Sequence, residues 1–579
     1  MPIHSLDSAV TRRSFLTAAG GAFLLGCTFE VASAQSPGSS GLPLNAWIRI
    51  DPDNTVVLVV AQAEIGQGIA TTMPAIIADE LGADWAHVRL ENSPTDPAYR
   101  NPRINWQFTG NSESTSSFFD LMREMGAGAL PTASRWLPTP GGARISRSRR
   151  SISPGTTGRA PQSTQPSSPS KLNVHTAGDK AAFGQVHPTN LSAEYGSQFM
   201  AHATMEPMNC TASVTADGCD IWAPTQGQEM TQMVLSQVLG LPKERVRVGR
   251  TFAGGGFGRR LVADFAVQAA LVSKAVQRPV KVVWTREEDM QHDLYRPAVA
   301  NRLAAGIDEF GRLRTLYHQV VSPSILQYVY PAAVKPDFDP SCLEGTLETH
   351  YKIPNIKVDF KLLKMPVPTS VLRTTGFGPN LFAMESFIDE PAHLSGKDPY
   401  LYRRDLLGDD KRALTVLDLA AEESQWRQPL KPGHYRGIAF CEAFQTFTCH
   451  GIELSMEGNA IHIHRVVAAI DAGNTLDPGI SANSIEGGVA WGLTCAIKSE
   501  ITFANGRTVE SNFHDYPVVR MFEMPPIEVH FIESGARPLG GVGEVGPVTV
   551  IPALTNALFA ATGVRYRSSP LSRFGLALA

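Results

Sequence analysis

Two glycine-rich runs in this chain could do chemistry. In "LGGVGEVGPVTV", Leu539 to Val550, the residues Gly541, Gly543 and Gly546 have the spacing of a dinucleotide-binding turn and enclose a single acid, Glu544. Such a turn needs a strand running straight into the glycines, a helix straight after them, and a ribose-binding acid about 20 residues further on. Here the strand-like "IEVHFIES" stops at Ser534, Pro547 and Pro552 delay a helix, and no Asp or Glu follows Glu544. Nicotinamide and flavin binding are therefore set aside. What remains is a carboxylate displayed by a tight glycine loop, whose plain reading is a solvated turn.

The second run, "TFAGGGFGRR", places Gly254, Gly255 and Gly256 at the end of a strand, followed by Phe257 and Gly258. Consecutive glycines let backbone N–H groups close on an oxyanion or a metal-bound oxo group without Cβ obstruction, or simply let a strand and a helix pack closely. "EIGQG" flanks Gln67 with glycines, which gives its amide room to donate. "HATMEPMNC" sets Glu206 among apolar residues, where it is either half-buried and shifted in pKa or at a surface turn. "APTQGQ" offers Gln226 just after a strand.

A chain of 579 residues, 43% hydrophobic and 18% charged, can fill two or more cores. Its net charge of -4 leaves no electrostatic footprint for nucleic acid. The seven cysteines, at 27, 210, 219, 342, 441, 449 and 495, include no C-x-x-C pair, so any iron-sulfur cluster is expected on a partner. The N-terminus reads as a twin-arginine export signal over 1–34: Arg12 and Arg13, an apolar run, and the small-residue site Ala32-Ser33-Ala34. The expected location is periplasmic. "LLGC", ending at Cys27, resembles a lipoprotein cleavage box, and lipidation there would attach the product to a membrane.

The elements that must position these residues read as α+β. "AWIRIDPDNTVVLVV" reads as a hairpin, "TTMPAIIADELGADW" as an amphipathic helix and "HVRLENSP" as a strand, within a first region at 42–125. Residues 126–190 contain the Ser/Pro/Arg-rich "GGARISRSRRSISPGTTGRAPQSTQPSSPS", which lacks the apolar surface to offset its ordering entropy. It reads as a linker, or as a stretch translated out of frame. Regular alternation resumes near Leu191, and two further mixed domains are expected at 191–410 and 411–579.

Taken together, "EIGQG", "MEPMN", "TFAGGGFGRR", "LRTTGFGPN", "SIEGGVAWGL", "SNFHDYP" and "GGVGEVG" resemble the molybdopterin-binding large subunit of the xanthine dehydrogenase and aldehyde oxidase superfamily. The likeness is greatest to its isoquinoline 1-oxidoreductase β-subunit and membrane-associated aldehyde dehydrogenase branch. It implies molybdopterin cytosine dinucleotide as cofactor, with the metal held by the pterin rather than by protein side chains. It also implies a small [2Fe-2S] subunit as electron acceptor and an onward cytochrome c. Glu544 matches the family's general base. Gly255, Gly256, Phe257 and Gln226 match residues against the metal's oxo side; Gln67, Ser112 and Ser114 match pterin and phosphate contacts, and Gly543 belongs to the same cofactor loop. Arg373 and Glu206 match substrate-side positions. The implied reaction is oxidation of an aldehyde or an N-heteroaromatic ring carbon with oxygen from water.

Three positions depart from the family pattern. The hammerhead-like domain that normally precedes "MEPMN" is missing, Ser484 stands where a glutamine often contacts the pterin, and "LRTTG" replaces the usual "WRSVG". The first departure motivates a rival reading, a truncated and catalytically silent cofactor-binding or assembly relative.

Overall fold

The structure, a computed structural model, describes residues 42–133, 172–185 and 187–579. The expected export signal with Arg12, Arg13 and Cys27, and most of the expected linker, lie outside the described residues. No helix among the described residues is long and apolar enough to cross a membrane. The chain forms two compact units.

The smaller unit comprises, among the described residues, 42–60, 73–94 and 119–133. Ile48–Ile50 pairs antiparallel with Val56–Val60 as the expected hairpin, and Asn54 turns the chain at φ 65°, a left-handed conformation that Asn tolerates. Val88–Asn92 adds in parallel to Val56–Val60. The helix Phe119–Ala133 approaches Ile77 so closely that a Cβ on Gly126 would lie 2.6 Å from the Ile77 carbonyl oxygen. That contact requires glycine.

The larger unit takes residues 61–72, 95–118 and the described chain from 172 onward. Among the described residues it contains one four-stranded, two five-stranded and one two-stranded sheet. The four-stranded sheet orders Val280–Val283, Asn209–Val214, Cys219–Ala223 and Val246–Arg250, and packs with the helices Gln228–Leu239 and Asp264–Val276 around Phe265 and Leu235. One five-stranded sheet runs Leu172–Ala177, Asn355–Leu362, Leu313–Ser322, Val299–Ile307, Thr189–Ser197. The other is built on His434–Ala443, Thr446–Glu457 and Ala460–Asp471.

The irregular stretch has other ends than its composition suggests. The irregular stretch placed at 126–190 is shorter at both ends, because the helix continues to Ala133 and the strand Leu172–Ala177 opens the larger unit. That strand pairs antiparallel with Asn355–Leu362, and Asn173 Nδ2 donates to Asp359 Oδ1 at 2.9 Å. Its order comes from a partner nearly two hundred residues away, which composition does not reveal. Across the expected boundary at 410/411 the buried packing is continuous. Leu303, Phe387 and Ile388 on one side of it share a buried cluster with Phe440, Leu454, Leu554 and Ala557 on the other. Each such Leu, Ile or Phe side chain contributes about 1.5–3 kcal/mol through burial, so the two halves are expected to stand or fall together.

The helices Phe377–Leu394, Pro478–Ile497 and Gly546–Thr562 carry the glycine motifs into this core. Pro547 and Pro552 do not delay the last of them. Pro547 occupies its first turn, where a missing N–H costs nothing, and Pro552 lies inside it. A Cβ on Gly488 would fall 2.9 Å from the Gly546 Cα, so the second and third helices meet backbone to backbone.

Candidate active site

Glu544 lies two residues before the helix Gly546–Thr562, and two different segments hold its partly buried side chain. The Thr374 N–H donates to its Oε2 at 2.8 Å, and the Ser112 hydroxyl approaches its Oε1 at 3.3 Å. Burial lifts the carboxyl above its usual range, against the pull of the Thr374 N–H, the Arg373 guanidinium and Ser112. The glycines around Glu544 admit this arrangement. A Cβ on Gly541 would stand 2.1 Å from the Ser112 carbonyl oxygen, and one on Gly543 3.3 Å from the Ser112 hydroxyl. Their spacing therefore serves close packing on Ser112, and no phosphate turn is formed.

Thr374 and Thr375 have φ of 84° and 43°. Such values are rare for β-branched residues and persist only where the surroundings over-determine them. Here the contorted turn serves two carboxylates at once. Thr374 N–H holds Glu544, while the Thr375 hydroxyl and the Gly376 N–H (3.2 Å) hold Glu344 Oε2.

The second glycine run forms a backbone cradle. At its ends Gly254 N–H donates to Glu206 Oε2 at 2.7 Å and Gly258 N–H to Gln226 Oε1 at 3.2 Å. Between them the N–H groups of Gly255, Gly256 and Phe257 have no partner among the described residues. Gly255 at φ 92° and Phe257 at φ 56° curve this stretch, and successive free N–H groups in such a curve suit an anionic or oxo ligand. Gln226 lies beneath it, its Nε2 donating to the Thr109 carbonyl at 3.0 Å and its Oε1 2.5 Å from where a Cβ on Gly256 would be.

Arg373 joins the two loops. Its backbone N–H donates to Phe257 O at 2.9 Å, while its Nε and Nη2 donate to Gly543 O at 2.9 and 2.6 Å, and Nη2 also reaches Ser484 O at 3.3 Å. Arg373 is expected on the substrate side; in the fold its Nε and Nη2 hold the carbonyl just before Glu544. Glu206, also expected near the substrate, is engaged by its own neighbours. Besides Gly254, its carboxylate accepts from Arg260 at 3.0 Å and Asn209 at 2.8 Å, which makes it a brace for the glycine cradle.

Gln67 closes its own loop, with Nε2 donating to Ala63 O at 2.8 Å and Oε1 accepting the Ile65 N–H at 2.7 Å. Glu64 beside it accepts the N–H groups of Gly66, Gly68 and Ala70, satisfying the first turn of the helix Ile69–Leu81. Ser114 donates to Gln62 Oε1 at 3.0 Å, and the buried Gln62 Nε2 has no partner among the described residues.

Sequence reasoning missed two groups. One is buried: Arg259, directly after the glycine cradle, pairs with Asp293 at 2.9 Å, Asp293 contacts His202 Nδ1 at 2.9 Å, and His202 Nε2 lies 2.7 Å from the Val371 carbonyl. It ties the cradle to the segment that leads into Arg373. The other is a cavity of about 290 Å³ whose lining includes Ser112, Glu344, Glu442 and the exposed Arg103 and Glu348. No local pattern marks Glu344 in "CLEGT"; only the fold brings it to the turn shared with Glu544.

Two family models, each described as a molybdopterin cofactor-binding domain, match the chain, one over residues 164–406 and the other over 20–116 and 409–525. The chain is similar to the isoquinoline 1-oxidoreductase subunit beta of Brevundimonas diminuta, 26% identical with 97% of this chain and 96% of that protein covered. It is also similar to the membrane-bound aldehyde dehydrogenase (pyrroloquinoline-quinone) of Gluconacetobacter polyoxogenes, 23% identical with 98% and 96% covered. The first of these alignments runs over 762 residues against 579 here, so that relative carries segments this chain lacks. Among solved structures, quinoline 2-oxidoreductase from Pseudomonas putida 86 shares the fold at a TM-score of 0.60, 14% identical, with 69% of this chain and 77% of that chain covered.

Proposed function

Because this chain belongs to the molybdopterin-binding large subunits of the xanthine dehydrogenase family, we propose that it is the catalytic subunit of a molybdenum hydroxylase. It oxidises an aldehyde or an N-heteroaromatic ring carbon and passes the electrons to a [2Fe-2S] partner subunit. The observation that carries this reading is the placement of Arg373, whose backbone holds the cradle at Phe257 while its side chain holds the loop of Glu544. A basic carboxylate and an oxo-binding cradle are thereby fixed against each other.

The residues fit such a cofactor. The N–H groups of Gly255, Gly256 and Phe257 and the Gln62 Nε2 beside Ser114, all without a partner among the described residues, and the Gln226 amide behind the cradle are the groups that would hold it. When bound, the molybdenum centre supplies the oxygen-transfer and two-electron chemistry, and we read its nucleotide form as the cytosine dinucleotide. Glu544 takes up the proton at Oε1, where Ser112 can follow it, while Thr374 N–H fixes Oε2. A carboxylate lifted above its usual range is a better base near neutral pH than a solvated one. Export by the twin-arginine route to the periplasm, with attachment through Cys27 or a cytochrome c partner, belongs to the same proposal.

The test is the molybdenum and cytosine nucleotide content of the chain purified with its small partner subunit, followed by a turnover screen over aldehydes and N-heterocycles. Glu544→Gln keeps the metal and loses turnover; substantial residual turnover refutes the base assignment. A second reading, a silent cofactor-binding or assembly relative, is favoured by the segments present in the Brevundimonas protein and absent here. Folded protein without molybdenum from a molybdenum-replete host decides for it.

A further inference from the structure

We propose that the pocket beside Glu544 selects for positive charge: the substrate of this chain is a planar N-heteroaromatic cation, its ring nitrogen alkylated or protonated, and rings carrying a carboxylate are turned away. This names the substrate class of the functional reading above and rests on it. The pocket is the cavity of about 290 Å³ lined by Ser112, whose hydroxyl lies 3.3 Å from Glu544 Oε1. Its volume is at the lower end of small-molecule sites, roughly 300–1,000 Å³, and suits one ring or two fused ones.

Two phenylalanines wall it. Phe377 and Phe444 stand with ring centroids 4.7 Å apart and planes inclined by 48°. Backbone ties both to the loop of Glu544: Phe377 follows the turn whose Thr374 N–H holds the carboxylate, and the Phe444 carbonyl accepts the Gly541 N–H at 3.0 Å. Phe444 and Gln445 form the two-residue hairpin tip between Ala443 and Thr446, at φ of 52° and 65°. Such tips ordinarily take Asn-Gly. A phenylalanine persists there only where its surroundings over-determine it.

Around this aromatic corner the charge is negative. Four carboxylates, Glu113, Glu344, Glu348 and Glu442, line the cavity beside one guanidinium, Arg103. Neutral donors hold two of them: Glu113 accepts from the Asn101 and Asn111 amides at 3.1 and 3.0 Å, and Glu348 from the Gly345 and Leu347 N–H groups at 2.9 and 3.3 Å. Glu442 pairs with His350 at 2.9 Å, but Asp410 shares that imidazole at 2.8 Å. Arg103 donates to Ser116 O at 3.0 Å and reaches Gln445 Oε1 at 3.4 Å instead of the four acids. Burial pushes Glu344 up to about 8, and an approaching cation draws it into its anionic form. A cation gains from the aromatic faces and from the carboxylates; an anion gains from neither.

The charge disappears in the reaction. The C–H bond beside the ring nitrogen breaks and a carbon–oxygen bond forms: a ring cation and one water give the neutral lactam, two electrons that pass to the [2Fe-2S] partner of the reading above, and three protons that leave to solvent. The product has lost the charge that held the substrate, which favours its release.

The experiment uses the holoenzyme, the chain with its small subunit, and three matched rings, N-methylquinolinium, quinoline and quinoline-4-carboxylate, with a redox dye as electron acceptor. At low salt kcat/KM is expected to be about a hundredfold higher for the cation than for the carboxylate, with quinoline between them, and the ratio falls as salt is added. Glu348→Gln narrows the ratio about threefold and Glu348→Lys about tenfold, a grading with charge that the loss of a brace for Gly345 does not produce. A carboxylate ring turned over as well as the cation, or a ratio that Glu348→Lys leaves unmoved, overturns the proposal while the functional reading stands. Calorimetry of the same rings reads binding without turnover. If the chain holds no molybdenum and turns nothing over, the functional reading has failed; tighter binding of the cation then still upholds the charge selection, and equal affinities overturn it.

Discussion

Arg373 Nε and Nη2 both donate to the carbonyl oxygen of Gly543, at 2.9 and 2.6 Å. The arginine thus sets the position of the residue before Glu544 and, through it, the aim of the carboxylate. Arg373→Lys keeps a cation but cannot reproduce two donors in a fixed fork. Its expected effect is a fall in kcat of about a hundredfold with a much smaller change in KM, as for a general base moved by about 1 Å. Steady-state kinetics on the substrate found by the screen check this.

Gly256→Ala puts a Cβ 2.5 Å from Gln226 Oε1, and Gln226 cannot yield because Thr109 and Gly258 bind its two ends. The variant is expected to fold yet lose most of its molybdenum, read by elemental analysis per chain. Gly487→Ala, where a Cβ meets nothing within 4 Å, is the matched control and retains the metal.

Removing Asp293 takes from Arg259 and His202 their shared carboxylate, and Arg259 keeps only its pair with Asp264. In a buried cluster the loss of one partner costs about 3–5 kcal/mol, so Asp293→Ala is expected to lower the urea midpoint sharply. A midpoint within experimental error of wild type contradicts the assignment of this cluster as a tie between the cradle and Val371.

Stability also reports on Glu344. Its pKa is raised from 4.5 to about 8, so the folded chain binds more protons than the unfolded one between those values. The sign follows: Glu344 contributes no cost below 4.5, an increasing cost as pH rises, and its full cost above about 8. Glu344→Gln removes this dependence. Denaturation of both proteins on either side of the window is expected to show the variant gaining on wild type as pH rises.

Much of the site was legible because its glycines are conspicuous. The runs around Gly255 and Gly543 mark places where backbone must come close to something, and both are such places. What the glycines approach was not legible. The spacing at Gly541, Gly543 and Gly546 fails the context of a phosphate turn, but nothing in it names the actual neighbours, Ser112 and a facing helix. Arg373 and Glu206 carry charge in motif positions and are expected toward substrate; the loops they hold, at Gly543 and Gly254, were not legible. Glu344 gives no local signal, since its relation to Glu544 exists only through a turn thirty residues further along the chain. The helices and strands were readable from their periods. The edge strand Leu172–Ala177 was not, because its pairing partner is distant and its flank resembles a linker.

The contact between Gly488 and Gly546 has a consequence for how this protein ages and fails. The loop of Glu544 is continuous with a helix whose opening turn is pressed against another backbone, so it has no hinge of its own. Amide hydrogen exchange at Val548 and Thr549, both buried, is then expected to proceed only by unfolding of the whole unit. Heat inactivation would coincide with melting of the core rather than precede it, and partial loss of activity in a warmed sample would count unfolded molecules rather than loosened ones.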